Sequence, residues 1–118
     1  MSERIVVGIT QGDVNGIGYE VILKTFEDPT MLEFCTPVVY GSPKVMTYHR
    51  KAIDSPINFN VVDSASDAQQ DRLNVVNCNQ EDVKVDFGIP TEESGQAAFQ
   101  ALERAVKEYR EGKIDVLV

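Results

Sequence analysis

Apolar residues in this chain alternate between two rhythms. Ile5 to Thr10 is a compact apolar run that predicts a strand. A glycine-rich turn then leads into a helical pattern in which Ile17, Val21, Ile22 and Phe26 form one apolar stripe. The helix is expected to run from about Ile17 into the low thirties, with a break at Asp28-Pro29 and a short second turn through Met31-Leu32. Thr36 to Gly41 reads as a second strand, with Pro37 near its start, where a missing N–H does least harm. Ser42 as N-cap and Pro43 at the first helical position open a helix over Lys44 to about Ala52, which Asp54-Ser55-Pro56 ends. Ile57 to Val62 alternates apolar and polar residues as a half-exposed strand does. Asp63 to Arg72 is a loop or a weak helical turn, and Leu73 to Cys78 is another short strand. Asn79 to Pro90, with Val83, Val85 and Phe87 alternating, reads as an irregular connection or a short edge strand.

The strongest helical pattern spans Thr91 to Glu111. Ala98, Leu102, Ala105 and Tyr109, flanked by Ala101 and Val106, form a continuous stripe. Thr91 or Ser94 can cap its start, Glu92 and Glu93 complement the positive end of the dipole, and Glu103–Lys107 is a favourable pair one turn apart. Gly112 is placed to stop the helix in a left-handed conformation. Ile114 to Val118 begins a last strand, and the chain stops inside it, which reads as truncation of a longer protein. Strands alternating with helices predict an α/β fold: a mainly parallel sheet with helices on both faces.

Composition narrows the partners. The 118 residues carry a net charge of −8, with 42% hydrophobic and 25% charged positions, an ordinary globular make-up that disfavours a nucleic-acid surface or an anionic membrane. No apolar run approaches the roughly 20 residues of a membrane helix, and no signal peptide opens the chain. Cys35 and Cys78 match no metal spacing and are expected as reduced, partly buried thiols of a cytoplasmic protein.

Chemistry concentrates in the first turn. A strand that passes through Gly12, Asp13, Gly16 and Gly18 into a helix presents unpaired N–H groups and a positive dipole end, which suits an anion such as phosphate. The spacing is neither G-x-G-x-x-G nor a loop ending in Gly-Lys-Ser/Thr. Spacing alone therefore leaves two readings open, a ligand-facing loop and a structural turn. In α/β sheets ligands bind beyond the carboxyl ends of the strands, where this loop falls. Asp13 either orients substrate or accepts backbone N–H bonds to fix the turn, and Thr10 at the strand end has the same two readings. Glu20 sits in the first helical turn, complementing the dipole. Asp63, Asp67 and Asp71 are expected on a solvated face rather than at a metal. The single histidine, His49, is expected as a solvated surface residue of a polar helix.

Ile9-Thr10-x-Gly12-Asp13-x-x-Gly16-Ile17-Gly18-x-Glu20 resembles the N-terminal signature of the PdxA family, the 4-hydroxythreonine-4-phosphate dehydrogenases of vitamin B6 synthesis. Gly16-Ile17-Gly18-x-Glu20 is also similar to the opening of isocitrate and isopropylmalate dehydrogenases, so the resemblance implies part of their fold. Gln11 and Tyr19 stand where the family usually has proline, and Val14-Asn15 replaces a Pro-Ala pair. Gly88 to Gly95 with the helix after it, and Ile114 to Val118, resemble further family segments, so the likeness spans the chain but covers about the first third of a family member. It implies an NAD(P)- and divalent-metal-dependent homodimer that oxidises 4-phosphooxy-L-threonine to 2-amino-3-oxo-4-phosphooxybutanoate, which decarboxylates to 3-amino-2-oxopropyl phosphate. The metal is held in the family by three histidines that fall beyond residue 118. This implies no catalytic or metal-binding residue here, no bound cofactor and no activity for the chain alone. Thr10, Gly12, Asp13, Gly16 and Gly18 are the candidates for a substrate or cofactor cleft. The alternatives are a related dehydrogenase of 4-phosphoerythronate or 4-phosphothreonate, and a non-catalytic α/β binding module. An isolated third of the enzyme is expected to expose apolar surface and to aggregate or pair.

Overall fold

The computed structural model describes residues 5–10, 18–78 and 92–118, with the backbone alone for 19 and 92–98. The expected connection from Asn79 to Pro90 lies outside the described residues.

Five strands form one sheet in the order β3-β4-β2-β1-β5, with every pairing parallel. They are β1 (Ile5–Thr10), β2 (Cys35–Gly41), β3 (Phe59–Val62), β4 (Leu73–Asn77) and β5 (Val116–Leu117). The helices are α1 (Gly18–Phe26), α2 (Pro29–Phe34), α3 (Pro43–Ala52) and α4 (Glu92–Arg110). The break expected at Asp28-Pro29 divides α1 from α2: Asp28 caps α2, its carboxylate accepting from the Thr30 N–H at 2.9 Å. Ser42 caps α3 by accepting from the Val45 N–H, and Gly112 adopts the left-handed conformation after α4. Between β3 and β4 the chain makes one 3₁₀ turn, Ala65–Asp67.

Both faces of the sheet are covered, which is why the central strands read as unbroken apolar runs. On one face Ile22, Leu23 and Phe26 of α1 and Val45 and Met46 of α3 pack on Val39, Leu73 and Val75. On the other, Ala101 and Ala105 of α4 meet Val38, Tyr40, Val76 and Ile114. Pro37 is tolerated in a central strand because β4 pairs with β2 only from Val38 onward. The Asn74 amide, fully buried, donates to the carbonyls of Pro37, Gln69 and Arg72, tying β4 to β2 and to its own approach loop.

Two expectations are corrected. His49 is not a solvated surface residue: it is 2% exposed. It follows Val45 and Met46 by one turn of α3 and so shares the face that packs on the sheet. The α4 stripe is also rotated. Ala101, Ala105 and Glu108 are buried, whereas Leu102 and Tyr109 are exposed. Small residues face inward because the Tyr40 ring and Ile114 fill the space beneath the helix. That space exists only because β1 carries a glycine: a Cβ on Gly8 would stand 2.4 Å from Ile114 Cδ1 and 3.2 Å from Tyr40 Cε2.

Candidate functional site at the carboxyl edge of the sheet

All five strands point the same way, so their carboxyl ends emerge on one edge. Thr10 of β1 lies level with Tyr40 of β2, and Gly41 of β2 lies level with Asn77 of β4. The helix N-termini at Gly18 and Pro43 return to this edge and turn the positive ends of their dipoles toward it; at α3 the Val45 N–H is already taken by the Ser42 hydroxyl. Glu20 in the first turn of α1 pairs with Lys24, one turn further on, at 3.0 Å. Of the sequence candidates, Thr10 ends β1 and Gly18 begins α1, so they mark the two rims of the glycine loop. Gly12, Asp13 and Gly16 lie outside the described residues. The Thr10 hydroxyl and N–H both face the Val118 carbonyl, at 3.4 and 3.3 Å, so this side chain also ties β1 to the segment beside it.

Topology adds positions that spacing did not indicate. The connection leaving β2 runs over one face through α3, and the connection leaving β4 runs over the other through α4. β2 and β4 are neighbours, so their carboxyl ends form a switch point, where a crevice opens in such sheets. Gly41-Ser42 and Asn77-Cys78 stand there, joined by a hydrogen bond from the Cys78 N–H to the Gly41 carbonyl at 2.8 Å.

Behind this edge sits a buried polar network. Glu108 of α4, 1% exposed, accepts through Oε1 from the Tyr40 hydroxyl and the Ala65 N–H, both at 2.8 Å. Its Oε2 accepts from Arg104 Nε at 2.9 Å, and the Arg104 guanidinium also donates to the Asp63 carbonyl at 2.6 Å. Burial pushes the Glu108 carboxyl up, but the hydrogen bonds from Ala65, Tyr40 and Arg104 outweigh it and hold the group below the ordinary carboxylate range. The Tyr40 phenol is raised by burial and by its bond to Glu108. Burial likewise raises the Cys35 thiol and pushes Cys78 up to about 12. The Tyr40 phenol and both thiols therefore stay protonated at neutral pH while Glu108 stays ionised between its donors, so the network reads as a fixed scaffold. Its sequence signal was the Arg104–Glu108 spacing on one helix face.

Among the described residues, no three His, Cys, Asp or Glu side chains could hold a metal ion. His49 is enclosed in the α3 layer and Asp63, Asp67 and Asp71 are exposed along a loop. The described donor set therefore does not fit the divalent metal that the family resemblance implies. Cys35 and Cys78 are free, half-buried thiols. Ser94-Gly95 falls in the first turn of α4. No described helix is long and apolar enough to cross a membrane.

A family model described as "Pyridoxal phosphate biosynthetic protein PdxA" matches residues 33–118. The chain is 64% identical over 115 residues to a 4-hydroxythreonine-4-phosphate dehydrogenase of Bacteroides thetaiotaomicron, covering 98% of this chain and 32% of that protein. It is 31% identical over 114 residues to the D-threonate 4-phosphate dehydrogenase of Cupriavidus necator, covering 95% of this chain and 34% of that one. The solved structure of a 4-hydroxythreonine-4-phosphate dehydrogenase from Burkholderia phymatum superposes with a TM-score of 0.89 at 28% identity, over 98% of this chain and 36% of that chain. The Klebsiella pneumoniae structure of the same description superposes at 0.82 with 21% identity, over 98% and 36%, a likeness of fold. The chain spans about a third of the length of the curated relatives it matches.

Proposed function

This chain belongs to the PdxA family, and from that membership we propose that residues 1–118 form the N-terminal α/β portion of a dehydrogenase of vitamin B6 synthesis. Its substrate is 4-phosphooxy-L-threonine, whose secondary alcohol is oxidised with hydride transfer to NAD(P). The 64% identity to a relative named 4-hydroxythreonine-4-phosphate dehydrogenase carries this reading. The 31% likeness to a D-threonate 4-phosphate dehydrogenase supports a second substrate, a phosphorylated sugar acid, less strongly.

In this reading the chain supplies one wall of a cleft. Thr10, Gly12, Asp13, Gly16 and Gly18 shape it, and two helix N-termini favour the phosphate of the substrate. The metal ligands and the hydride-transfer site come from the rest of a PdxA-length homodimer, in the cytoplasm. The test is a full-length chimera in which this chain replaces the matching third of the Bacteroides thetaiotaomicron protein, assayed for NADH formation with a divalent metal. Turnover of 4-phosphooxy-L-threonine in preference to D-threonate 4-phosphate and 4-phosphoerythronate is expected. The opposite preference would replace the substrate, and no turnover of any of them would overturn the enzyme reading. In the active chimera, Asp13→Ala is expected to lower kcat/KM at least about tenfold, a loss of about 1.4 kcal/mol of transition-state stabilisation. The 118-residue chain alone is expected to form no NADH.

A further inference from the structure

Glu108 is a costly side chain to bury beneath α4. It is ionised and held by three donors, yet an apolar residue of similar size at such a place commonly leaves a fold as stable or more stable. Stability alone does not account for it. What a satisfied polar network adds is direction: hydrogen bonds fix which groups meet and at what distance, where apolar surfaces can slide. The side-chain bonds from Arg104 and Glu108 to the rest of the described residues all end on segments at the carboxyl edge of the sheet. Glu108 Oε1 holds the Tyr40 hydroxyl, one residue before β2 ends, and the Ala65 N–H, three residues beyond the end of β3. Arg104 holds the carbonyl of Asp63, the first residue beyond β3. Tyr40 in turn lies level with Thr10 at the end of β1, and its neighbour Gly41 accepts from the Cys78 N–H just past β4.

We infer that Arg104 and Glu108 are positioning residues of the substrate cleft: through Tyr40 and the segment 63–65 they set the spacing of the strand ends that wall it, a role that rests on the proposed reaction and deepens it. Neither side chain needs to meet the substrate. The route runs from Glu108 to the Tyr40 hydroxyl, along the backbone to Gly41-Ser42, and across to Cys78 at the β2–β4 switch point. A displacement of about 1 Å in such a wall is enough to weaken a site it shapes. In the proposed reading this wall binds the phosphorylated hydroxy acid in its ground and transition states alike, while the metal ligands and the hydride-transfer site belong to the rest of the protein. Loosening the wall accordingly raises KM and leaves kcat nearly unchanged.

The test is made in the full-length chimera, at a temperature about 15 °C or more below the Tm of every variant, so that each is fully folded. Tyr40→Phe keeps the ring and removes only the hydroxyl that reaches Glu108. Its KM for 4-phosphooxy-L-threonine is expected to rise about fivefold with kcat within about twofold of the parent, and Glu108→Leu is expected to raise KM about tenfold or more. Glu108→Gln keeps an acceptor oxygen and is expected to stay within about threefold of the parent. A merely structural role would lower Tm and leave KM where it was. Unchanged KM in Tyr40→Phe and Glu108→Leu would therefore overturn the inference while leaving the dehydrogenase reading intact, and so would a loss confined to kcat. Should the parent chimera turn over none of the substrates, the dehydrogenase reading fails, and amide hydrogen exchange in the 118-residue chain decides whether the pair holds this edge. In Tyr40→Phe the Cys78 N–H, bonded to the Gly41 carbonyl, is expected to exchange about tenfold faster or more, with the buried Leu23 N–H of α1 changed by less than about threefold. No change at Cys78, or equal changes at both amides, would overturn the positioning role.

Discussion

Glu108 shows how one side chain can hold three elements. Glu108→Ala would leave the Tyr40 hydroxyl and the Ala65 N–H without their acceptor and would leave Arg104 only its bond to the Asp63 carbonyl. Arg104 is itself partly exposed, so most of the cost comes from the two stranded donors rather than from the ion pair. A loss of about 3 kcal/mol is expected, seen as a fall in Tm of roughly 10 °C. Glu108→Gln keeps an acceptor oxygen and should lose less. The carboxyl is held below its ordinary range in the folded state, so its contribution is present above the unfolded carboxylate pKa of about 4.3 and disappears as pH falls through the lower folded value. Urea midpoints measured from pH 7 down to pH 3 should fall less steeply in Glu108→Gln than in the parent. Gly8 offers a test by crowding. Gly8→Ala should cost about 1–3 kcal/mol, because the added methyl meets Ile114 and a Tyr40 ring pinned at its hydroxyl. Ile114→Val alone should destabilise by about 1 kcal/mol. In the Gly8→Ala background it should be neutral or stabilising, since it removes the clashing Cδ1; additive losses in denaturant melts would count against this packing.

At the scale of elements, local chemistry was legible where neighbours in sequence decide the structure. Ser42-Pro43 opened α3, Asp28-Pro29 divided α1 from α2, and Gly112 ended α4, because each acts on backbone groups within one turn. Ser42→Ala is accordingly expected to cost about 1 kcal/mol in a denaturant melt, with no change in the slope against urea. The rotation of α4 was not legible. Its apolar stripe is wide enough to face the sheet in more than one way, and Tyr40, 68 residues away, selects the inward face through Glu108. His49 was misread for a similar reason: its polar neighbours Tyr48, Arg50 and Lys51 mask the position it shares with Val45 and Met46. The candidate site divided along the same line. Thr10 and Gly18 could be placed at the rims of a strand-to-helix turn from sequence, whereas the β2–β4 switch point exists only once strand order is known.

At the scale of the whole molecule, β1 joins partners of very different separation. It pairs with β2 some 30 positions along the chain, and with β5 more than 100 positions along it, where the Asp115 carboxylate accepts from the Val6 N–H across 109 residues at 2.9 Å. The Asp115 N–H donates back to the Val6 carbonyl, and the Val118 N–H donates to Gly8. Closing so long a loop is entropically late, so contacts at this seam should be largely absent from the folding transition state. Asp115→Ala is therefore expected to speed unfolding in a chevron experiment while leaving the refolding rate nearly unchanged; slowed refolding would sink that order of events. On the ribosome the same seam becomes a waiting time. At about 5–20 residues per second, the second edge of β1 stays open on the order of 5–20 s before β5 has been synthesised, a vulnerable edge of the nascent sheet that the finished fold closes.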